Sequence, residues 1–169
     1  MSQRPHQSRY IHEGLITALA VGGFFIILGL VIVTTPGIVQ KTDAFFTDIS
    51  WISYPFGSST IMVPAPANPG THIDLFNAFM GFILAIAILQ IIILSIRLIV
   101  RSPLRRIAET MGNLIFWVGA AVVANIFLLA GTLTGWFQFW SWLIVLAGLG
   151  LIARFCVLFI VRSRRMEWR

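Results

Sequence analysis

Charged side chains are scarce in this sequence. Asp, Glu, Lys and Arg make up 11% of its 169 residues, and 58% of the residues are hydrophobic. A soluble domain carries roughly 25% charged residues and about 45–50% apolar ones. The shortage of charge excludes an ordinary water-soluble domain and indicates an integral membrane protein. The length suits one compact helical unit, so we predict a single transmembrane domain over residues 1–169.

Cysteine and the common catalytic motifs are lacking too. Cys156 is the only cysteine, which excludes a disulfide within the chain, a dithiol redox centre and a cysteine-based zinc or iron–sulfur site. The sequence contains no phosphate-binding glycine loop, nucleophile elbow or H-E-x-x-H motif. We therefore expect no catalytic residues and no cofactor bound by this chain alone. His12 and His72 are predicted on opposite sides of the membrane, so they cannot ligate one haem together.

Four apolar runs are present, and each is long enough to cross a bilayer, which requires about 20 residues. They cover about 11–35, 72–100, 104–130 and 136–161. The first run is too long for the core of a cleaved signal peptide, and no A-x-A site follows directly after it. The sequence therefore predicts an all-α integral membrane protein, a four-helix transmembrane bundle. In the second run, Thr71 is the predicted helix cap and Asp74 lies in the first turn.

Basic residues are concentrated on one side of this predicted topology. Of the 12 Lys and Arg residues, Lys41 falls in the loop 36–71, Arg154 lies within the fourth run, and the rest flank the opposite ends of the runs. Because positively charged loops stay in the cytoplasm, we predict a multi-pass plasma membrane protein with both termini inside. The missing N-x-S/T sequon and disulfide favour a prokaryote. Arginines that flank apolar runs argue against nucleic-acid binding and suit anionic lipids at the inner surface.

The segment over residues 36–71 is the one long connection, and we predict that it forms an ordered extracytoplasmic loop. A short amphipathic helix is predicted over residues 39–52, lying on the outer surface. A turn at residues 54–57 and a short extended segment at residues 60–63 are predicted to follow. Prolines then predict a helix-free approach to the second span.

Small residues recur at helical spacing in three of the spans. Such stripes let a second helix approach closely, so they predict packing faces. The predicted faces are Gly14, Ala18, Gly22 and Gly29 in the first span, Ala78, Gly81 and Ala85 in the second, and Gly112 and Gly119 in the third.

Arg154 is the strongest polar candidate inside a span. It lies eight residues before Arg162, which is roughly 12 Å of helix from the inner boundary. Its side chain could snorkel to that boundary or form a structural ion pair with Glu13 or Glu109. The alternative is a site for an anionic lipid head or an anionic substrate near the inner leaflet.

Two further groups of polar residues each have a structural and a functional interpretation. His72, Asp74, Asp43 and Asp48 could bind a metal at the outer surface, but helix capping explains the aspartates more simply. Asn77, Gln90, Asn113 and Asn125 could line a polar path, but hydrogen bonds between helices are the simpler role.

The sequence favours a non-catalytic structural or accessory subunit of a larger membrane protein complex. It would pack through its small-residue helix faces and the outer loop, with other membrane subunits and lipid as partners. One alternative is a small homo-oligomeric channel or transporter. A second alternative is a membrane enzyme or metal-binding protein with an outer His/Asp site.

Overall fold

The computed structural model describes residues 4–166, so Arg169, one of the flanking arginines, lies outside the described part of the chain. Four helices are each long and apolar enough to cross a membrane, which confirms the predicted helical membrane fold with its four candidate spans. A π-helical turn, Ala124–Leu128, extends the third of them. In chain order the elements are α1 (Arg4–Thr34), α2 (Ile38–Asp48), β1 (Ile49–Phe56), β2 (Ser59–Pro66), α3 (Ile73–Ile99), α4 (Leu104–Val123) and α5 (Leu133–Met166).

The segment between α1 and α3 corrects the all-α prediction, because it contains a two-stranded antiparallel hairpin. The helix predicted over residues 39–52 ends at Asp48, and the turn predicted at residues 54–57 lies mostly within β1. The chain reverses at Gly57 and Ser58 instead. Gly57 has a φ of 61°, as the tight turns of hairpins require. Each strand is an edge, so the prolines of β2 are tolerated.

The start of α3 also differs from the prediction, because Thr71 does not cap it. Thr71 lies in a 3-10 turn, Pro69–His72, and its Oγ1 donates to the carbonyl oxygen of Asn68 at 2.7 Å. Proline suits the first position of this turn, where no N–H partner is needed. His72 takes the N-cap position of α3, and Asp74 lies in the first turn, where a negative charge favours the helix dipole.

The four spanning helices pack in chain order, with α1 on α3, α3 on α4 and α4 on α5. α1 and α5 form the ends of this row, and 6% of the most apolar stretch of each is buried, against 22% and 28% for α3 and α4. The main core includes Phe76, Ile83, Ala124 and Phe139, and it joins α3, α4 and α5. A smaller cluster around Ile16 attaches α1 to α3.

The two ends of the bundle differ in charge. One end carries α2, β1 and β2, and we call it the hairpin end. The other end carries the connection between α3 and α4, with Arg97, Arg101, Arg105 and Arg106, and we call it the basic end. That the basic end faces the cytoplasm stays a prediction, which rests on the positive-inside tendency.

Candidate functional site

At the basic end, Arg97 links three helices through a side chain that is 11% exposed. Its Nη1 donates to the carbonyl oxygen of Arg106 at 2.6 Å and to Thr110 Oγ1 at 2.8 Å, which ties α3 to α4. Its Nη2 lies 3.9 Å from Glu13 Oε2 on α1. Glu13 Oε1 and Arg97 Nε are buried without a hydrogen-bond partner among the described residues. The tie to α1 is therefore weaker than the tie to α4.

Glu109 of α4 gathers three arginines beside this network. Arg154 Nη2, from α5, donates to Glu109 Oε1 at 2.9 Å. Arg105 Nε and Arg106 Nη1, on the same helix as Glu109, each donate to its carboxylate at 3.3 Å. The sequence left both Glu13 and Glu109 open as partners of Arg154. The structure places Arg154 on Glu109, because α5 packs along α4 while Glu13 faces Arg97.

A cleft of about 280 Å³ opens between α4 and α5 next to this ion pair. Glu109, Asn113 and Arg154 line it near the basic end, and Phe116 and Ala147 line it further into the bundle. Phe116 follows Glu109 by seven residues, so the apolar part lies roughly 10 Å deeper along the helix. The cleft is therefore amphipathic along its length, with its polar part at the basic end.

The floor of the cleft is a close contact between two glycines. A Cβ on Gly112 would lie 2.7 Å from the carbonyl oxygen of Gly150, and a Cβ on Gly150 would lie 2.9 Å from that of Gly112. The backbones of α4 and α5 thus touch directly at this point. Gly119, two turns further along α4, lies against Leu146 of α5. The small-residue face predicted in the third span is the face that α4 turns toward α5.

The small residues of α1 lie on a different side from its contact with α3. α1 meets α3 through Ile16, which is buried, and Gly23, which lies against Leu89. Ala18, on the predicted face, is exposed. A Cβ on any of the glycines of that face would meet open space, and these glycines are Gly14, Gly22 and Gly29.

The predicted face of α3 is mixed. A Cβ on Gly81 would meet open space, as it would on the glycines of the α1 face. Ala78 and Ala85 are half-buried. This face therefore contributes only partly to the packing within the chain.

At the hairpin end, the four residues named as weak metal candidates separate into pairs. His72 Nε2 lies 3.0 Å from Asp48 Oδ2, and Asp74 Oδ2 accepts from Lys41 Nζ at 2.9 Å. Asp43 is exposed on α2. Among the residues whose side chains the structure describes, no group of three His, Cys, Asp or Glu side chains is placed to hold a metal ion. The H-x-D spacing of His72 and Asp74 therefore does not place the side chains of the four candidates around one site.

Asp48 fastens the end of α2 to the start of α3. Its Oδ2 accepts the backbone N–H of Asn68 at 2.9 Å. An ionised carboxylate can only accept, so the Nε2–H of His72 donates to the same oxygen. The Asn68 N–H, and after it the His72 ring, hold the pKa of Asp48 below its usual value of 3.8. The ring of Phe45 stands edge-on to buried His72, with centroids 5.3 Å apart.

An aromatic cavity of about 310 Å³ lies next to this tie, between α2, α3 and α5. Thr42 contributes a hydroxyl group to a lining that is otherwise apolar. The rings that line this cavity pack α2 against the bundle. The ring centroids of Phe45 and Phe76, for example, are 6.0 Å apart. The lining residues that carry rings are Phe45, Phe46, Phe76, Phe79, Trp136, Phe139 and Trp140.

The four amide side chains of the spans lie in different surroundings. Asn113 lines the cleft at the basic end, whereas Asn125 Nδ2 lies 3.5 Å from Met80 Sδ toward the hairpin end. Asn77 is exposed, and Gln90 is half-buried. A channel that uses these residues stays a prediction.

Two residues of the basic end were not singled out from the sequence. Arg97 was counted among the flanking arginines, and nothing in its spacing distinguishes it from Arg101. Gly150 was missed because it follows Gly148 by two residues, which is not a helical repeat. Only the position of α5 against α4 shows that Gly150 faces Gly112.

No protein-family model matches the chain, and no curated protein or solved structure matches it either. Its function has to be inferred from its own residues and their contacts.

Proposed function

We propose that this chain is a non-catalytic subunit of a larger membrane protein assembly, and that α1 packs against a helix of a partner subunit. The observation that carries the proposal is the open space over Gly14, Gly22 and Gly29 on a face that α1 turns away from α3. Within a bilayer, helices associate through close van der Waals contact at small residues rather than through the hydrophobic effect. If the small-residue face of α1 were directed only at lipid, no helix would make this close contact with it.

The place of α1 in the row of helices supports the same proposal. It is an end helix, and 6% of its most apolar stretch is buried within the chain. Its attachment to α3 rests on a small cluster of Ile16, Leu89 and Ile93. A helix held on one side, with a second face suited to close packing, can join two chains in the plane of the membrane.

The hairpin offers a second surface suited to a partner. One of its faces packs on the bundle through Tyr54, whose ring centroid lies 4.2 Å from that of Phe137 on α5. Because side chains alternate along a strand, Trp51 and Met62 lie on the opposite face, where they are 70% and 59% exposed. Trp and Met are enriched in protein interfaces relative to the rest of a protein surface.

The proposal is tested by extracting the protein from its native membrane in a mild detergent and measuring the native mass of the particle. We expect a mass well above the 18.9 kDa of the chain, with at least one different polypeptide present. Gly22→Leu fills the open face of α1, so we expect it to release the chain from the particle while the chain stays folded.

Gly148→Leu is the matched control, because Gly148 of α5 also faces open space. We expect this variant to remain in the particle. A wild-type chain recovered alone would refute the proposed function. Equal release of both variants would refute the assignment of the contact to α1.

A further inference from the structure

Glu109 is surrounded by more positive charge than it can neutralise. Arg105, Arg106 and Arg154 all donate to its one carboxylate, so the cluster carries three positive charges and one negative charge. Each guanidinium has five N–H donors, and these contacts use one donor of each. The cluster therefore has both the charge and the donors to hold a further anion.

The geometry of the neighbouring cleft restricts what that anion can be. Arg154 and Asn113 line its polar part, and Phe116 and Ala147 line the part that lies deeper. Gly112 and Gly150 have no side chains to fill the floor between them. A free inorganic anion would occupy only the polar part. A molecule with a charged head and a hydrocarbon chain would fill both.

The position of the cleft in the bundle indicates where this molecule comes from. The cleft lies toward the basic end of two helices that are long and apolar enough to span a membrane. At such an end of a span, lipid head groups meet the hydrocarbon region. Basic pockets between spanning helices at the cytoplasmic side are suited to anionic lipid head groups. A guanidinium also matches a phosphate better than an ammonium does, because its donors form a planar fork.

We propose that the cleft between α4 and α5 binds an anionic phospholipid from the leaflet at the basic end. Its phosphodiester contacts Arg154 and the neighbouring Arg105, and one acyl chain lies along Phe116 and Ala147. The contact between Glu109 and Arg154 orients the guanidinium for the phosphate. This site does not depend on the proposed partner of α1, and the two proposals fail independently.

The test is a titration of the purified full-length chain in detergent, with lipid binding counted by native mass spectrometry. Phosphatidylglycerol and phosphatidylcholine with identical acyl chains serve as probes. We expect phosphatidylglycerol to bind about tenfold more tightly, which corresponds to about 1.4 kcal/mol. Arg154→Gln should abolish most of this preference. Ala147→Trp, which fills the apolar part of the cleft, should weaken the binding of phosphatidylglycerol with the arginines intact.

Two controls separate this site from general attraction to a basic surface. Arg101→Gln removes one exposed charge at the same end but outside the cleft. Because salt screens exposed charges, we expect a change of less than about twofold. Glycerophosphate, which has the head-group phosphate without acyl chains, should not compete. Equal binding of the two lipids would overturn the proposal. Equal losses in Arg154→Gln and Arg101→Gln, or full competition by glycerophosphate, would also overturn it.

If Arg154→Gln does not fold, a second variant tests the same lipid site. Arg105 is 78% exposed, so Arg105→Gln keeps the ion pair between Glu109 and Arg154 and should still reduce the preference for phosphatidylglycerol several-fold. Folding of each variant is verified by circular dichroism before the titration. An unchanged preference in Arg105→Gln, together with unchanged binding of phosphatidylglycerol to Ala147→Trp, would refute the site.

Discussion

Gly112 of α4 and Gly150 of α5 are in backbone contact, and a Cβ on either would lie within 3 Å of the other's carbonyl oxygen. This contact explains the ion pair beside it. Glu109 precedes Gly112 by three residues and Arg154 follows Gly150 by four, so each lies about one helical turn away on the same side. Close approach of the backbones thus brings the carboxylate and the guanidinium to 2.9 Å.

The first prediction concerns this glycine contact. Gly112→Ala should lower the free energy of unfolding by about 1–3 kcal/mol, because the added methyl group forces α4 and α5 apart. The measurement is reversible unfolding in mixed detergent micelles. Gly148→Ala adds the same methyl group to α5 over open space and should not destabilise the protein. Equal stability of the two variants would contradict the close contact.

The second prediction concerns Arg97. Arg97→Gln removes the donors to the Arg106 carbonyl oxygen and to Thr110, so we expect a loss of about 2–3 kcal/mol in the free energy of unfolding. Thr110→Val removes one of these acceptors and should cost less, about 1 kcal/mol. Arg101 is exposed on the same connection, and Arg101→Gln should change stability by no more than about 0.5 kcal/mol. An Arg97→Gln variant as stable as Arg101→Gln would show that the network contributes nothing.

The third prediction is a pH dependence at the hairpin end. The folded-state pKa of Asp48 is lowered, so its stabilising effect is complete above the usual value of 3.8 and is lost as the pH falls through the lowered folded value. The difference in Tm between the wild type and Asp48→Asn should therefore shrink as the pH falls below about pH 4. Asp43→Asn, on the same helix, serves as the control. A difference that persists unchanged at pH 3 would contradict the lowered pKa.

The fourth prediction concerns orientation in the membrane. In a Cys156→Ser background, Ser58→Cys places a thiol at the tip of the hairpin and Ser163→Cys places one near the basic end of α5. A membrane-impermeant maleimide added to intact cells should label Ser58→Cys only. Both sites should react after the membrane is opened. Labelling of Ser163→Cys in intact cells would reverse the predicted topology.

The spanning helices could be predicted from the sequence because lipid imposes length and apolarity on each of them separately. The hairpin could not, because β1 carries apolar residues on both faces. Tyr54 packs on Phe137 while Trp51 is exposed, so the strand lacks the clean alternation of a half-buried strand. The sequence pattern instead predicts a helix that continues past Asp48 to residue 52.

The contacts between helices could not be predicted from the sequence either, for a different reason. Glu13 and Glu109 lie at similar depths, and only the neighbour relation of α4 and α5 selects Glu109 for Arg154. Likewise, a stripe of small residues shows where close packing is possible but not whether the partner belongs to the same chain. Gly112 meets α5, whereas Gly22 meets open space.

The central claim is that the small-residue face of α1 contacts a different membrane protein. Its most direct test is a photoreactive amino acid at position 18, on that face, irradiated in intact cells. We predict one discrete adduct with a polypeptide other than this chain, and no such adduct from position 20, which packs toward α3. Adducts only with lipid, or only with a second copy of the chain, would contradict the account.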